Sequence, residues 1–456
     1  KSISGIRGTI GGQPGEGLSP IDLVKYAAAF ATWVKVSSGK QKPTVVVGRD
    51  ARISGPMVSS IVVSTLTGMG CNVVNIGLAT TPTTELAVTA EKADGGIILT
   101  ASHNPKQWNA LKLLGNKGEF LNAAEGEKVL AIAEAGNYVF AGVDDLGSVT
   151  EKDYTEYHIQ HVLNLELVDR AAIEKAGFSV AVDAVNSVGG VVMPALLKAL
   201  GVKNVVEINC EPTGHFAHTP EPLPENLIET SAIVKENNVD VCFVVDPDVD
   251  RLVVVNEDGS MFSEEYTLVA VSDYVLRQTP GNTVSNLSSS RALNDITVRL
   301  GGKYTAAAVG EVNVVEKMKE TGAVVGGEGN GGVIYPASHY GRDALVGAAL
   351  FLSHLAKSGL KCSDLRKTYP DYFMSKNKIE LTPDIDVDAL LERLQQKYST
   401  EKVTTIDGVK IDFAESWVHL RKSNTEPIIR IYSEAKSEEE AKNIAQKVIQ
   451  TIKEII

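Results

Sequence analysis

The feature that most limits the fold is a recurring unit in which an apolar run of strand length stops abruptly in a polar loop. Asp94-Gly95-Gly96-Ile97-Ile98-Leu99 runs into Thr100-Ala101-Ser102-His103-Asn104-Pro105. Val239-Asp240-Val241-Cys242-Phe243-Val244-Val245 runs into Asp246-Pro247-Asp248-Val249-Asp250. More faintly, Gly322-Ala323-Val324-Val325-Gly326-Gly327 runs into Glu328-Gly329-Asn330-Gly331-Gly332. The same parts precede each run. The first copy has a strand over 43–50, a helix through 57–68 and a strand over 72–77. The second has a strand over 178–183, a helix through 191–200 and a strand over 204–208. The third has a strand over 283–287, a helix through 293–300 and a strand over 304–309. Strands alternating with helices predict parallel βαβ units. Open α/β sheets place ligands beyond the C-terminal ends of their strands. If the copies share a topology, three loops occupy equivalent places and face one cleft.

The tail differs. It reads as a strand near 378–381, a helix near 387–398 and short strands between 403 and 434. Asp407-Gly408 marks a tight hairpin turn. Ser437-Glu438-Glu439-Glu440 is a capping box that opens the last helix, and Ala441, Ile444, Ala445, Val448 and Ile452 form its apolar face. This predicts a separate α+β domain. The expected domains are 1–150, 151–256, 257–369 and 370–456, in keeping with a chain of 456 residues, too long for one core.

Composition sets further bounds. Apolar content of 43% and charged content of 22% are those of a soluble globular protein. No apolar run approaches the roughly 20 residues that span a bilayer, which predicts no membrane partner. Lys1-Ser2-Ile3-Ser4-Gly5 shows no signal-peptide pattern, and the lack of an initiator Met leaves a removed leader open. Cys71, Cys210, Cys242 and Cys362 lie far apart, without zinc spacing. Cys242 falls in an apolar run, which predicts a buried, reduced thiol and a cytoplasmic location. The net charge of −13 argues against a nucleic-acid partner. A small anionic substrate, needing only a few local cations, fits it well.

The loops carry the chemistry. Asp246, Asp248 and Asp250 alternate, so an extended segment would turn all three to one side. Three carboxylates so close need a cation, and hard oxygen ligands with few protein donors favour Mg²⁺. An EF-hand is excluded because Arg251 stands where glycine is needed and a strand follows. An acidic turn with helix-capping aspartates is the plainer alternative. Glu328 and Asn330 lie amid glycines that allow close approach to the backbone, which suits sugar hydroxyls; a flexible glycine loop is the plainer alternative. Arg421-Lys422-Ser423-Asn424-Thr425-Glu426-Pro427, with Arg430 beyond, offers cations, hydroxyls and backbone N–H groups to a phosphate. A solvated hairpin loop fits that stretch equally well. Ser102 lacks the Gly-x-Ser-x-Gly elbow of a hydrolase. Near a metal and a phosphate nest, it could instead carry a phosphoryl group. Lys112 and Arg7, the latter in Gly5-Ile6-Arg7-Gly8, are cations able to serve that centre or to remain surface residues.

Together the loops resemble the α-D-phosphohexomutase family along nearly the whole chain. The resemblance rests on Gly5-Ile6-Arg7-Gly8, the stretch 100–105 with Asn109 and Lys112, and the stretches 246–251, 328–332 and 421–427. It implies three similar α/β domains with mixed sheets and a C-terminal α+β domain of TATA-binding-protein-like fold around one central cleft. It implies a phosphoserine at Ser102, Mg²⁺ on Ser102, Asp246, Asp248 and Asp250, and Arg7, His103, Lys112 and Arg251 about the reacting centre. Glu328 and Asn330 would hold sugar hydroxyls. Arg421, Ser423, Asn424, Thr425 and Arg430 would hold the non-reacting phosphate. The implied reaction interconverts hexose 6-phosphate and hexose 1-phosphate, with a hexose 1,6-bisphosphate as intermediate and activator, in a monomer or homodimer. The loop 328–332 looks like archaeal-type phosphoglucosamine mutases, whereas Ser423-Asn424-Thr425 is closer to phosphomannomutase/phosphoglucomutase usage. Glucosamine phosphate is slightly favoured, with glucose or mannose phosphate as the alternative. The rivals are a Mg²⁺-dependent sugar phosphatase and a catalytically silent sugar-phosphate-binding regulator.

Overall fold

The computed structural model describes residues 5–380, 386–422 and 428–455. The first sheet comprises β1 (Ile6–Thr9), β2 (Thr44–Arg49), β3 (Asn72–Leu78), β4 (Gly95–Leu99), β5 (Trp108–Gly115) and β6 (Val149–Glu151), in the order β1-β5-β4-β2-β3-β6. Helices Gly55–Gly68 and Thr81–Ala90 cross between parallel strands. The period-2 alternation of a strand sends neighbouring valines to opposite faces. Val45 and Val47 join the core under helices Pro20–Ser38 and Gly55–Gly68. Val46 joins Ala87 and Val88 on the other side. A sheet covered on both faces needs near-continuous apolar strands, which is why β4 is buried at every residue.

The second sheet contains β7 (Ser179–Asp183), β8 (Asn204–Ile208), β9 (Val241–Val245) and β10 (Leu252–Asn256), ordered β10-β9-β7-β8. The third contains β11 (Asn282–Asn286), β12 (Tyr304–Ala307), β13 (Ala323–Glu328) and β14 (Gly332–Ile334), ordered β12-β11-β13-β14. Both repeat the central arrangement of the first sheet, including the faint third copy. In each, the first strand lies between its two parallel partners, and a fourth strand folds back antiparallel on the third. The sheets are therefore mixed rather than purely parallel. The polar loops at 100–105, 246–250 and 328–332 are the connections from the third strand to that returning fourth strand.

The second and third units share one apolar core. Phe351, on helix Ala344–Ser358, meets Phe243 of β9 and Phe262 edge-on, with centroids 5.9 and 5.2 Å apart. Such aromatic contacts fix the relative placement of the two sheets.

The fourth sheet is antiparallel: β15 (Phe373–Glu380), β16 (Lys402–Thr404), β17 (Val409–Asp412), β18 (Trp417–Lys422) and β19 (Ile428–Ala435), ordered β15-β19-β18-β17-β16. Helices Val387–Lys397 and Glu438–Ile455 bury Leu390, Leu394, Val448 and Ile452 against Ile411, Leu420 and Ile431. The hairpin expected at Asp407-Gly408 is a longer connection over 405–408, with Gly408 at φ 66°. At the last helix, Glu440 N donates to Ser437 Oγ at 3.2 Å. All four cysteines are free thiols, and Cys71, Cys242 and Cys362 are buried. Among the described residues no helix is long and apolar enough to cross a membrane.

Candidate active site

At the end of β4 the chain leaves the sheet, and Ser102 adopts φ 51°, in the left-handed region that side chains other than glycine avoid. Thr100 Oγ1 accepts from Ser102 N at 2.9 Å and donates to Asp50 Oδ2 at 2.6 Å. Fully buried Arg52 donates to carbonyls of the same loop. So held, Ser102 Oγ donates to Asp246 Oδ2 at 2.8 Å, across 144 positions of sequence and between two units.

Asp246, Asp248 and Asp250 do converge, offering one ligand atom each within 4.8 Å of one another. The route differs from the alternation expected of an extended segment. The chain turns here: Val249 N donates to Asp246 O at 3.1 Å, and Val249 stands at φ 62°. Its isopropyl group is buried in the shared core, and that packing holds a β-branched residue in an unfavourable backbone region.

Each carboxylate has its own neighbours. Asp246 Oδ1 accepts from Arg251 N at 3.1 Å. Asp248 Oδ2 accepts from Lys112 Nζ at 2.7 Å and Thr81 Oγ1 at 2.6 Å. Asp250 Oδ2 accepts from Arg342 Nη2 at 2.5 Å and lies 3.8 Å from Lys112 Nζ. Asp248 Oδ1 and Asp250 Oδ1 are buried with no hydrogen-bond partner among the described residues. Two orphaned carboxylate oxygens beside a third carboxylate are a donor set that fits a hard divalent cation.

The electrostatics follow from burial and crowding. Burial and then repulsion from Asp250 and Asp248 push the Asp246 carboxyl well above its ordinary range. Burial would also raise Asp248, but Lys112 and the hydrogen bonds from Lys112 and Thr81 more than offset it and hold it below that range. Burial would lower Lys112, yet Asp248 and Asp250 raise it. Burial, reinforced by Arg251 and Arg7, pushes His103 well below its ordinary value. His103 Nδ1 lies 3.3 Å from Ser102 Oγ. Arg7 Nη1 donates to Asn104 Oδ1 at 2.6 Å.

Glu328, at the end of β13, is held on both oxygens. Oε1 accepts from Asn286 Nδ2 at 2.7 Å and Gly310 N at 3.1 Å, and Oε2 from Arg342 Nη1 at 2.7 Å. Asn330 turns inward, its Oδ1 accepting from Gly332 N at 3.2 Å. The glycines between them serve close packing. A Cβ on Gly329 would meet Glu265 Oε2 at 1.8 Å, and one on Gly331, at φ 88°, would meet Leu252 O at 2.5 Å. The glycines thus let the loop pack closely on Glu265 of its own unit and on Leu252 of the second unit.

On the fourth unit, the register sets Arg421 of β18 directly opposite Arg430 of β19. Arg421 Nη1 lies 3.7 Å from Asp407 Oδ2. Ser423, Asn424 and Thr425 lie outside the described residues. A cleft of about 990 Å³ is walled by Arg7, Ser102, His103 and Lys112 of the first unit, Arg251 of the second, Glu328 of the third and Arg421 of the fourth. Asn330 is not among its walls.

Several residues of the site escaped the sequence reading. Arg342 joins Asp250, Glu328 and Glu311, the last at 3.1 Å from Nε. Burial would lower its guanidinium, but Asp250, Glu311 and Glu328 raise it. Glu311 walls the same cleft. Thr81, Asp50 and Arg52 hold the loops from behind. Asp50 and Arg52 do follow β2, at the same sheet end as Ser102, and that placement was the available signal.

Four family models match consecutive stretches. These are phosphoglucomutase/phosphomannomutase alpha/beta/alpha domain I over 2–139, domain II over 156–259, domain III over 263–372 and the C-terminal domain over 378–451. A phosphoglucomutase/phosphomannomutase of Thermococcus kodakarensis is 38% identical over 454 residues, covering 98% of both chains. A phosphoglucosamine/phosphogalactosamine mutase of Sulfurisphaera tokodaii is 32% identical over 462 residues, covering 99% of this chain and 98% of its own. The crystal structure of a phosphoglucomutase/phosphomannomutase family protein from Burkholderia thailandensis superposes with a TM-score of 0.85 at 26% identity, covering 99% of this chain and 96% of that one.

Proposed function

The chain belongs to the α-D-phosphohexomutase family, and from that premise we propose that it interconverts hexose 6-phosphate and hexose 1-phosphate through a phosphorylated Ser102. The observation that carries this reading is the 2.8 Å contact of Ser102 Oγ with Asp246, inside a cleft walled by all four units. Each unit, taken as residues 1–150, 151–256, 257–369 and 370–456, contributes at least one side chain to its walls.

In the forward half-reaction the Oγ–P bond of phospho-Ser102 breaks and a P–O bond forms to the free sugar hydroxyl, whose proton leaves to a base. The product is a hexose 1,6-bisphosphate. The sugar turns over, and Ser102 Oγ takes the other phosphoryl group while the sugar oxygen regains a proton. No phosphate is consumed, and added bisphosphate can prime an unphosphorylated Ser102. Such transfers depend on positioning and charge neutralisation. Arg7, Lys112 and Arg251 supply positive charge about the transferring group, and His103 adjoins it. Glu328, which walls the cleft, holds sugar hydroxyls; Asn330, off its walls, keeps the loop in shape through Gly332 N. Arg421 and Arg430, with Ser423, Asn424 and Thr425, hold the phosphate that is not reacting. Asp246, Asp248 and Asp250, with Ser102 or its phosphate, would hold Mg²⁺, which neutralises charge at the phosphoryl group when bound.

Among sugars we place glucosamine phosphate slightly ahead, on the strength of the loop 328–332. Glucose or mannose phosphate is the alternative, favoured by the name of the T. kodakarensis relative. A cytoplasmic setting is supported by the four unpaired thiols.

The test is to incubate the protein with glucose 1,6-bisphosphate and Mg²⁺, locate phosphate by intact and peptide mass, and then assay isomer formation on glucosamine, glucose and mannose phosphates. Phospho-Ser102 together with isomerisation is expected. Inorganic phosphate without an isomer would mark a phosphatase. Binding without Ser102 phosphorylation would mark a silent regulator.

A further inference from the structure

Arg52 follows β2, away from the cleft, and its side chain is fully buried. A guanidinium has five N–H groups, and here all five are used. Nε donates to Asp50 Oδ2 at 3.0 Å. Nη1 donates to the carbonyls of Pro105 and Trp108 at 2.9 and 3.0 Å. Nη2 donates to the carbonyl of Asn104 at 2.7 Å and to that of Ser102. Four carbonyl oxygens of the stretch 102–108 therefore converge on one cation. The face of the guanidinium is covered as well, with Cζ 5.2 Å from the ring centroid of Phe216, which comes from the second unit. Asp50 extends the hold by accepting from Arg52 N at 2.9 Å and from Thr100 Oγ1 at 2.6 Å. Thr100 Oγ1 in turn accepts from Ser102 N.

Without the cation, four carbonyl dipoles would point at one another; Pro105 O would keep Trp108 N at 3.0 Å, but the oxygens of Ser102, Asn104 and Trp108 would each lose the donor Arg52 gives them. Ser102 also sits at φ 51°, a conformation that a serine does not hold unless its surroundings impose it. The peptide geometry adds a third consequence. Carbonyl and N–H point opposite ways across a trans peptide, so the bond to Ser102 O turns the His103 N–H away from the buried guanidinium. Lysine offers three donors at a point and no plane, and it cannot reproduce this set.

We propose that Arg52 is a positioning residue for phosphoryl transfer, holding the 102–108 loop in the conformation that brings Ser102 Oγ to the aspartate cluster. It acts through the loop and touches no substrate. This rests on Ser102 being the residue that carries the phosphoryl group.

The test uses the full chain with Arg52→Lys and Arg52→Ala. Three quantities are read: kcat on a hexose 1-phosphate, the rate at which glucose 1,6-bisphosphate phosphorylates Ser102, and the calorimetric affinity for glucose 1-phosphate. Arg52→Lys should lower both rates about 100-fold, the scale of a small misplacement of a reacting group, with affinity unchanged. Added guanidinium ion should restore part of the lost rate in Arg52→Ala, since the truncation leaves a space of that shape. Wild-type rates in Arg52→Lys would overturn the proposal. So would rates and affinity falling together without guanidinium rescue, because that pattern marks a merely structural residue. A wild-type chain that takes no phosphate at Ser102 is a distinct result, and it would overturn the phosphoserine reading itself.

Discussion

Nη2 of Arg342 lies 2.5 Å from Oδ2 of Asp250, so one guanidinium of the third unit reaches into the aspartate cluster of the second. Its other donors go to Glu328 at 2.7 Å and Glu311 at 3.1 Å. The loops 246–250 and 328–332 are thereby tied to one buried cation.

Arg342→Gln removes the charge that faces three buried carboxylates. Breaking one side of a buried ion pair costs about 3–5 kcal/mol. The variant should unfold at a clearly lower temperature in a thermal scan; an unchanged midpoint would show that the pairs contribute nothing.

Ser102→Ala deletes the proposed phosphoryl carrier and leaves the walls of the cleft intact. Turnover should fall by about 10⁴-fold or more, on the scale of other lost nucleophiles. Calorimetry should still detect sugar-phosphate binding. Retained turnover, free of wild-type contamination, would falsify the assignment.

Mg²⁺ should raise the unfolding temperature of the wild-type protein, because a ligand bound by the folded state stabilises it by about 2.7 kcal/mol at one hundred times its dissociation constant. Asp248→Asn should lose most of that response, and chelation should abolish turnover. An equal Mg²⁺ shift in wild type and variant would place the cation elsewhere.

Arg421→Ala should raise KM for the hexose phosphate at least about tenfold, equivalent to about 1.4 kcal/mol, with a smaller change in kcat. The physical reason is that a grip on the non-reacting phosphate is shared by ground and transition states. An unchanged KM with a collapsed kcat would contradict this.

His218 Nε2 faces Asp183 Oδ2 at 3.2 Å, and its Nδ1 faces Thr219 O at 2.8 Å. Burial would lower the imidazole, but the hydrogen bond and charge of Asp183 raise it above 6.5. A raised folded value means that the stabilisation is complete below the unfolded value and is lost as pH climbs through the folded one. Asp183 is held low by His218, after offsetting its own burial, so its contribution disappears only in acid below its ordinary value. Wild type should therefore exceed His218→Gln in unfolding temperature most at about pH 5.5, and the gap should narrow by about pH 8.5. A gap that widens over that range would reverse the sign of the argument.

Much of the fold was legible because its signals are local. The run Val45-Val46-Val47 reads as a strand covered on both faces, and Val46 does face away from its two neighbours. The faint third copy has the topology of the other two because its strand-length runs and helices come in the same order. The site was legible as residue types. Ser102, Asp246, Asp248 and Asp250 do meet, although by a turn with Val249 at φ 62° and not by extended alternation.

Hydrophobic period, turn chemistry and the supply of hydroxyl, carboxylate and guanidinium groups were set by the sequence alone, since each depends on neighbours a few positions away. Partnership was decided by tertiary structure: Ser102 meets Asp246 across 144 positions, Arg342 meets Asp250 across 92, and Arg52 meets the Pro105 carbonyl across 53. The Arg342–Asp250 contact exists because the core shared by the second and third units, around Phe351, holds their two sheets at a fixed angle. A buried charge then takes whichever partner that packing brings within reach.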